Sequence, residues 1–217
     1  MNIRKIKHEY KKGFSLEIDN LEIPSNKIIG LVGENGAGKT TLMSILSGFM
    51  KANKIYEVET EKKEFTIGFI PSEIKIYDFL TVEEFVKLFV DFSSTEMSVD
   101  EIISLLEMEE KRKTSIDELS QGMQKKLTLI PIMCKKYDLI ILDEPFNSID
   151  VKYIYKLKQL LQNIKQRATI LISSHILDTL VDLCDEFVVL DSGKIKDTFT
   201  NTKTIKDMEE RIFEGSN

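Results

Sequence analysis

Residues 33–40 read Gly33-Glu34-Asn35-Gly36-Ala37-Gly38-Lys39-Thr40, an occurrence of the pattern G-x-x-x-x-G-K-[ST]. The flanks suit a phosphate-binding loop. Ile28, Ile29, Leu31 and Val32 form a short apolar run before it, and a helical pattern follows from about Thr40 to Leu46, ending near Gly48. Glycines let a backbone wrap a triphosphate with its N–H groups turned toward the oxygens. The start of the following helix adds a favourable dipole. In this reading Lys39 neutralises the β- and γ-phosphates and the Thr40 hydroxyl ligates Mg²⁺.

A second apolar run, Leu139-Ile140-Ile141-Leu142, ends in Asp143-Glu144. A run with no polar face predicts a strand buried in a parallel sheet. Strand carboxyl ends face the ligand crevice in such sheets. That places Asp143 to hold a Mg²⁺ shell and Glu144 to orient or activate an attacking water.

The chain between these segments changes texture. Alternation at Phe14–Leu16–Ile18, then Leu21-Glu22-Ile23, predicts early strands, and residues 57–69 predict one or two exposed ones. Thr81-Val82-Glu83-Glu84 and Ser98-Val99-Asp100-Glu101 are capping boxes opening helices. A third helix is expected from Gln121 to about Lys136, kinked or ended by Pro131. After Leu142 come a helix over 151–166, a strand over 168–172 and a helix over 176–183. A hairpin is expected across Ser192-Gly193. The order is α/β, an all-α insertion near 74–135, then α/β again.

Composition narrows the function. The 217 residues include 42% apolar and 30% charged, usual for a globular domain, with a net charge of −6. An acidic balance argues against a broad nucleic-acid surface. Cys134 and Cys184 have no metal-ligand spacing and read as reduced core thiols, the usage of a cytosolic protein. The charged start, Met1 to Lys12, predicts no signal peptide, and no 18-residue apolar stretch predicts a span. A membrane role would then need another chain.

With these residues in place, the chain resembles the ATP-binding-cassette (ABC) family over nearly its whole length. Leu119-Ser120-Gln121-Gly122-Met123 resembles the signature motif, usually L-S-G-G-Q. Ser148-Ile149-Asp150 resembles the D-loop, and Ile172-Ser173-Ser174-His175 the strand end that carries the switch histidine. The resemblance implies one domain over 1–217. Its α/β P-loop NTPase core, about 1–73 and 137–217, would have a mixed sheet and a small antiparallel β-subdomain, with an α-helical subdomain, about 74–136, inserted. ATP and Mg²⁺ would be the cofactors. Gly33, Glu34, Asn35, Gly36, Ala37, Gly38, Lys39, Thr40 and Thr41 would hold ATP, Thr40 and Asp143 the Mg²⁺, and Glu144 and His175 would serve hydrolysis. Ser120 and Gly122 would grip the γ-phosphate of ATP on a second, facing subunit. Tyr10 matches the family's adenine-stacking aromatic. A transport ATPase lying on the cytoplasmic face of the membrane is implied, powering a separate membrane-spanning subunit.

Some positions depart from the family's pattern. In Ile70-Pro71-Ser72-Glu73, Ser72 stands where the family has Gln, and Glu73 is the neighbour that could substitute. The stretch between Gly48 and Ile67 is shorter than the family's, so the β-subdomain is expected to be trimmed. Met123, Phe146-Asn147 and Ser173-Ser174 resemble drug- and bacteriocin-type exporter subunits. Two other readings stay open. A cassette protein acting on nucleic acid or ribosomes is opposed by the acidic charge. A nucleotide-gated regulatory module is favoured by the changed Gln position and opposed by Glu144 and His175.

Overall fold

The runs Ile28–Val32, Leu139–Asp143 and Thr169–Ser173 lie together in the middle of one sheet, and every residue in them is buried. This arrangement is seen in a computed structural model that describes residues 1–11, 13–73, 77–93, 95–202 and 204–213. In chain order the strands are β1 Asn2–Glu9, β2 Ser15–Glu22, β3 Ile28–Val32, β4 Ile55–Glu59, β5 Ile67–Ile70, β6 Leu139–Asp143, β7 Thr169–Ser173, β8 Glu186–Asp191 and β9 Lys194–Thr200. The helices are α1 Lys39–Leu46, α2 Val82–Phe92, α3 Val99–Leu105, α4 Gln121–Leu127, α5 Ile130–Cys134, α6 Val151–Ile164, α7 Leu177–Leu183 and α8 Ile205–Phe213.

Six strands form a mixed sheet in the order β5-β6-β7-β3-β8-β9, parallel except for the β8–β9 hairpin. Three form a small antiparallel sheet, β2-β1-β4. Period-2 alternation divides the large sheet's side chains between two cores. Ile29, Leu31, Ile141, Leu171 and Leu190 pack with α1 and the small sheet. Ile28, Val32, Ile140, Leu142, Ile172 and Val189 pack with the helices on the other face. Covering both faces is what makes these strands apolar throughout.

Local chemistry sets the helix starts. Thr81 and Ser98 each accept an N–H three residues on, and Glu84 and Glu101 reach back to the cap backbone. Each cap contributes about 1 kcal/mol. At the β8–β9 turn Ser192 (φ 48°) and Gly193 (φ 81°) are both left-handed, as a two-residue hairpin of this twist requires. Cys134 and Cys184 are free and buried.

The structure differs from expectation in several places. β2 runs unbroken from Ser15 to Glu22, where two short strands were expected. β5 is not an exposed strand of a subdomain: it pairs parallel with β6, and Gly68 and Ile70 are buried. The expected helix over 121–136 is two helices, parted at Thr128 and Leu129. Pro131 sits in the first turn of α5, where its missing N–H is no loss. α8 was not anticipated, although Met208 and Ile212, one helical turn apart, bury its inner face. The expected boundary at residue 74 falls on Ile74–Ile76, outside the described residues.

Gly30 lets β8 come close: a Cβ there would lie 2.5 Å from a ring carbon of the wholly buried Phe187. Gly30→Ala should therefore destabilise the protein by about 1–3 kcal/mol, the range for overpacking. Urea unfolding checks this, and an unchanged midpoint would contradict the packing.

Candidate functional site

The turn from β3 into α1 has three glycines with positive φ: Gly33 (149°), Gly36 (85°) and Gly38 (106°). Gly33 is the most constrained, since a Cβ there would lie 2.1 Å from the Leu190 carbonyl oxygen of β8. Lys39, first residue of α1, arches back over the loop. Its ammonium donates to the carbonyls of Gly33 (2.7 Å) and Glu34 (3.0 Å). Burial pushes its pKa down, against the pull of Glu144 and Asp143. A cation held on neutral carbonyls at a glycine-rich turn into a helix suits a polyphosphate.

Next along α1, Thr40 Oγ1 donates to Asp143 Oδ2 at 2.8 Å. Asp143 ends β6 and is 1% exposed. Its other oxygen accepts from Ser173 Oγ at 2.6 Å, because β6 and β7 pair Asp143 with Ser173. Ser173 Oγ also accepts the N–H of Glu144 at 3.0 Å. Glu144 itself is left-handed (φ 52°), so the chain turns sharply at the end of the strand. His175, after β7, lies with Nδ1 2.9 Å from Glu144 Oε2, and its backbone N–H donates to the same oxygen at 3.3 Å. One hydrogen-bonded line thus runs from the loop through both acids to the histidine.

The donors fit a hard divalent cation. Thr40 and Asp143 offer oxygens only, and no group of three or more His, Cys, Asp or Glu residues could hold a metal among the described residues. Two protein oxygens suit Mg²⁺, which keeps waters and takes phosphate oxygens. They do not suit a site that needs a full protein cage, such as structural zinc. An open cleft of about 850 Å³ adjoins Glu144, bordered also by Asn35, Ser72, Glu73, Lys125 and His175. Another hollow, of about 480 Å³, flanks the loop beside Phe14 and Glu34 to Ala37.

Tyr10 follows β1 and is 42% exposed. Its ring packs edge-on to His8 and tilted against Phe14, and its hydroxyl lies 3.3 Å from that of Thr41 in α1. It therefore stands over the first turn of α1 with part of its ring open. Ser120 and Gly122 lie elsewhere, at the start of α4, and no hydrogen bond among the described residues joins them to the loop. Ser120 Oγ accepts the Met123 N–H, and a Cβ at Gly122 would lie 2.4 Å from the Ser148 carbonyl oxygen. The signature segment is thus packed on the segment after Glu144. Lys126 strengthens that seam, 3.5 Å from Asp150 and over the Tyr153 ring.

Residues 16–147 match the family model described as ABC transporter. The chain belongs to the ABC transporter family. It is an ATP-binding subunit of the P-loop α/β fold and an ATPase whose hydrolysis is coupled to transport. Similar ABC proteins include an uncharacterised ABC transporter ATP-binding protein of Methanocaldococcus jannaschii, 33% identical over 81% of this chain and 68% of its own length. The lantibiotic transport ATP-binding protein SrtF of Streptococcus pyogenes is 30% identical over 90% of this chain and 88% of its own. The tungstate uptake system ATP-binding protein TupC of Peptoclostridium acidaminophilum is 31% identical over 90% and 96%. Among solved structures, a dimeric post-hydrolysis ATP-binding cassette bound to ADP and Pi has the same fold. Its TM-score is 0.76 at 20% identity, over 92% of this chain and 97% of that one.

Two residues at the site were not singled out from sequence as functional. Ser173 had a signal, since it ends an apolar strand one residue before the Ser174-His175 pair. Lys125 had none, being one of several lysines on a helix. Ser173→Ala removes the donor to Asp143 and the acceptor for the Glu144 N–H together. ATP turnover should fall by tenfold or more, the equivalent of about 1.4 kcal/mol, while nucleotide affinity stays within about threefold. Steady-state kinetics beside a binding titration checks this, and normal turnover would remove Ser173 from the mechanism.

Proposed function

We propose that the chain is the motor subunit of an exporter, which closes around Mg-ATP against a second ABC ATPase subunit and drives a separate membrane-spanning subunit. The observation that carries this is the line Thr40–Asp143–Ser173–Glu144–His175 beside the loop. It supports the following roles. The N–H groups of residues 33–41 wrap the triphosphate, and Lys39 leaves its carbonyl partners for the β- and γ-phosphates. Thr40 and Asp143 would hold Mg²⁺, which supplies charge neutralisation on the phosphates. Glu144 orients the attacking water and takes up its proton, and His175 fixes the Glu144 carboxylate through Nδ1 and its backbone N–H. Tyr10 stacks on adenine.

The same reading divides the chain into an α/β core, about 1–73 and 137–217, and a helical subdomain, about 74–136, that passes motion outward. Among the described residues no helix is long and apolar enough to cross a membrane. A site on the cytoplasmic face of a membrane therefore needs the second protein. Tyr77 and Phe79 offer it an exposed aromatic pair, 61% and 74% accessible with ring centroids 5.9 Å apart. The outward direction rests on the signature variant with Met123. Of the relatives' names, one reads lantibiotic transport without a direction and another reads tungstate uptake.

Tyr10→Ala should weaken ATP binding by roughly 1–3 kcal/mol, the scale of aromatic–base stacking, and Tyr10→Phe should be mild. Equal effects of Ala and Phe in a titration would count against stacking.

Glu144→Gln should turn the protein into an ATP-dependent dimer. Ser120 is exposed and removed from its own loop, so it is free to close the open side of a γ-phosphate on a facing subunit. Bound ATP then joins the two surfaces, and hydrolysis separates them. Without the carboxylate the joined state should persist, and adding Ser120→Arg should block it by bulk. Light scattering with saturating Mg-ATP checks both. A Glu144→Gln protein that stays monomeric would mean a different partner cassette or no such pairing.

A further inference from the structure

Lys125 sits on α4 with 9% of its surface accessible. Its ammonium donates to the Ser72 carbonyl at 2.9 Å. No other hydrogen-bond or ion-pair partner is found for it among the described residues. An ammonium has three N–H groups, and a buried cation facing one neutral acceptor is costly. A tether on the Ser72 backbone needs no charge. The neighbouring Lys126 shows the compensated alternative, with Asp150 and the Tyr153 ring as partners.

Lys125 instead resembles Lys39. Burial depresses the pKa of each, and Asp143 and Glu144 pull against that in both. The two lysines come from different elements, Lys39 from α1 beside the Asp143 partner Thr40, and Lys125 from α4 on the cleft that Glu144 borders. Lys125 borders the cleft of about 850 Å³ together with Asn35 of the loop, Glu144 and His175. A ligand reaching past the loop toward Glu144 brings its outermost anionic group to the side from which Lys125 faces the cleft. For a nucleoside triphosphate that group is the γ-phosphate, which ADP lacks.

We propose that Lys125 is a second phosphate-directed cation, selective for the γ-phosphate, which distinguishes ATP from ADP and draws α4 toward the core when ATP is bound. This rests on the nucleotide reading of the site. The ammonium meets a multiply charged partner in place of one carbonyl, so binding relieves the cost of its burial. ADP ends short of it and leaves that cost in place.

The test is a binding titration of the full chain carrying Glu144→Gln and Ser120→Arg, with Mg-ATP and Mg-ADP as separate ligands. Lys125→Met keeps the length of the side chain and removes the charge. The expected result is a tenfold or greater loss of ATP affinity with ADP affinity within twofold, and a near-normal ATP-to-ADP ratio in Lys125→Arg. Unchanged ADP binding also reports an intact fold. An ATP-to-ADP ratio in Lys125→Met equal to that of the unsubstituted lysine would overturn the proposal. Loss of both ligands in parallel would do so too, marking Lys125 as structural. Lys39→Ala separates the two readings: if it leaves both affinities unchanged, the nucleotide site itself is misplaced. If it weakens both while Lys125→Met leaves the ratio unaltered, the Lys125 assignment alone is wrong.

Discussion

The carboxylate of Asp143 holds the site together. It is almost fully buried, accepts from Thr40 on one side and Ser173 on the other, and so ties α1 to the ends of β6 and β7. A buried carboxylate needs such partners, because an unpaired one would cost several kcal/mol. Both partners are hydroxyls. Hydroxyls can turn, so either oxygen can be released to a cation without moving backbone. The parallel sheet makes this possible by ending three strands, β3, β6 and β7, on one side.

Two of the six non-glycine residues with positive φ among the described residues lie in the same region. Glu144 and Ser148 both have positive φ without being glycine, one on each side of the turn between β6 and α6. Such conformations cost of order 1–3 kcal/mol each and persist where surroundings over-determine them. At Glu144 the surroundings are the Ser173 hydroxyl and the His175 backbone. At Ser148 they include the contact with Gly122.

Much of this was legible in the sequence. The loop, the acids ending Leu139–Leu142 and both capping boxes depend on neighbours within a few residues, and local pattern carries them. What escaped depends on distant partners. β5 reads as an exposed strand because its sequence does not show that β6 will lie beside it. Thr128 and Leu129 part α4 from α5 with no breaker at the break itself, Pro131 lying beyond it. Lys125 looks like a solvated helix lysine until α4 is placed against Ser72, across 53 residues of chain. Ser173 stands out at the end of an apolar strand, but its partner is hidden until the register with Asp143 is known.

The close approach of Gly122 to Ser148 has a mechanical side. With no Cβ between them, the start of α4 rests directly on backbone, and Lys126 with Asp150 clamps the next turn. A contact made of main chain has little compliance, unlike one made of long side chains that can change rotamer. A shift of residues 144–150, provoked at Glu144, would therefore reach α4 nearly undiminished, as a push on a rigid strut. The start of α4, with Ser120 at its head, is geared in this way to the state of the chain's own acid.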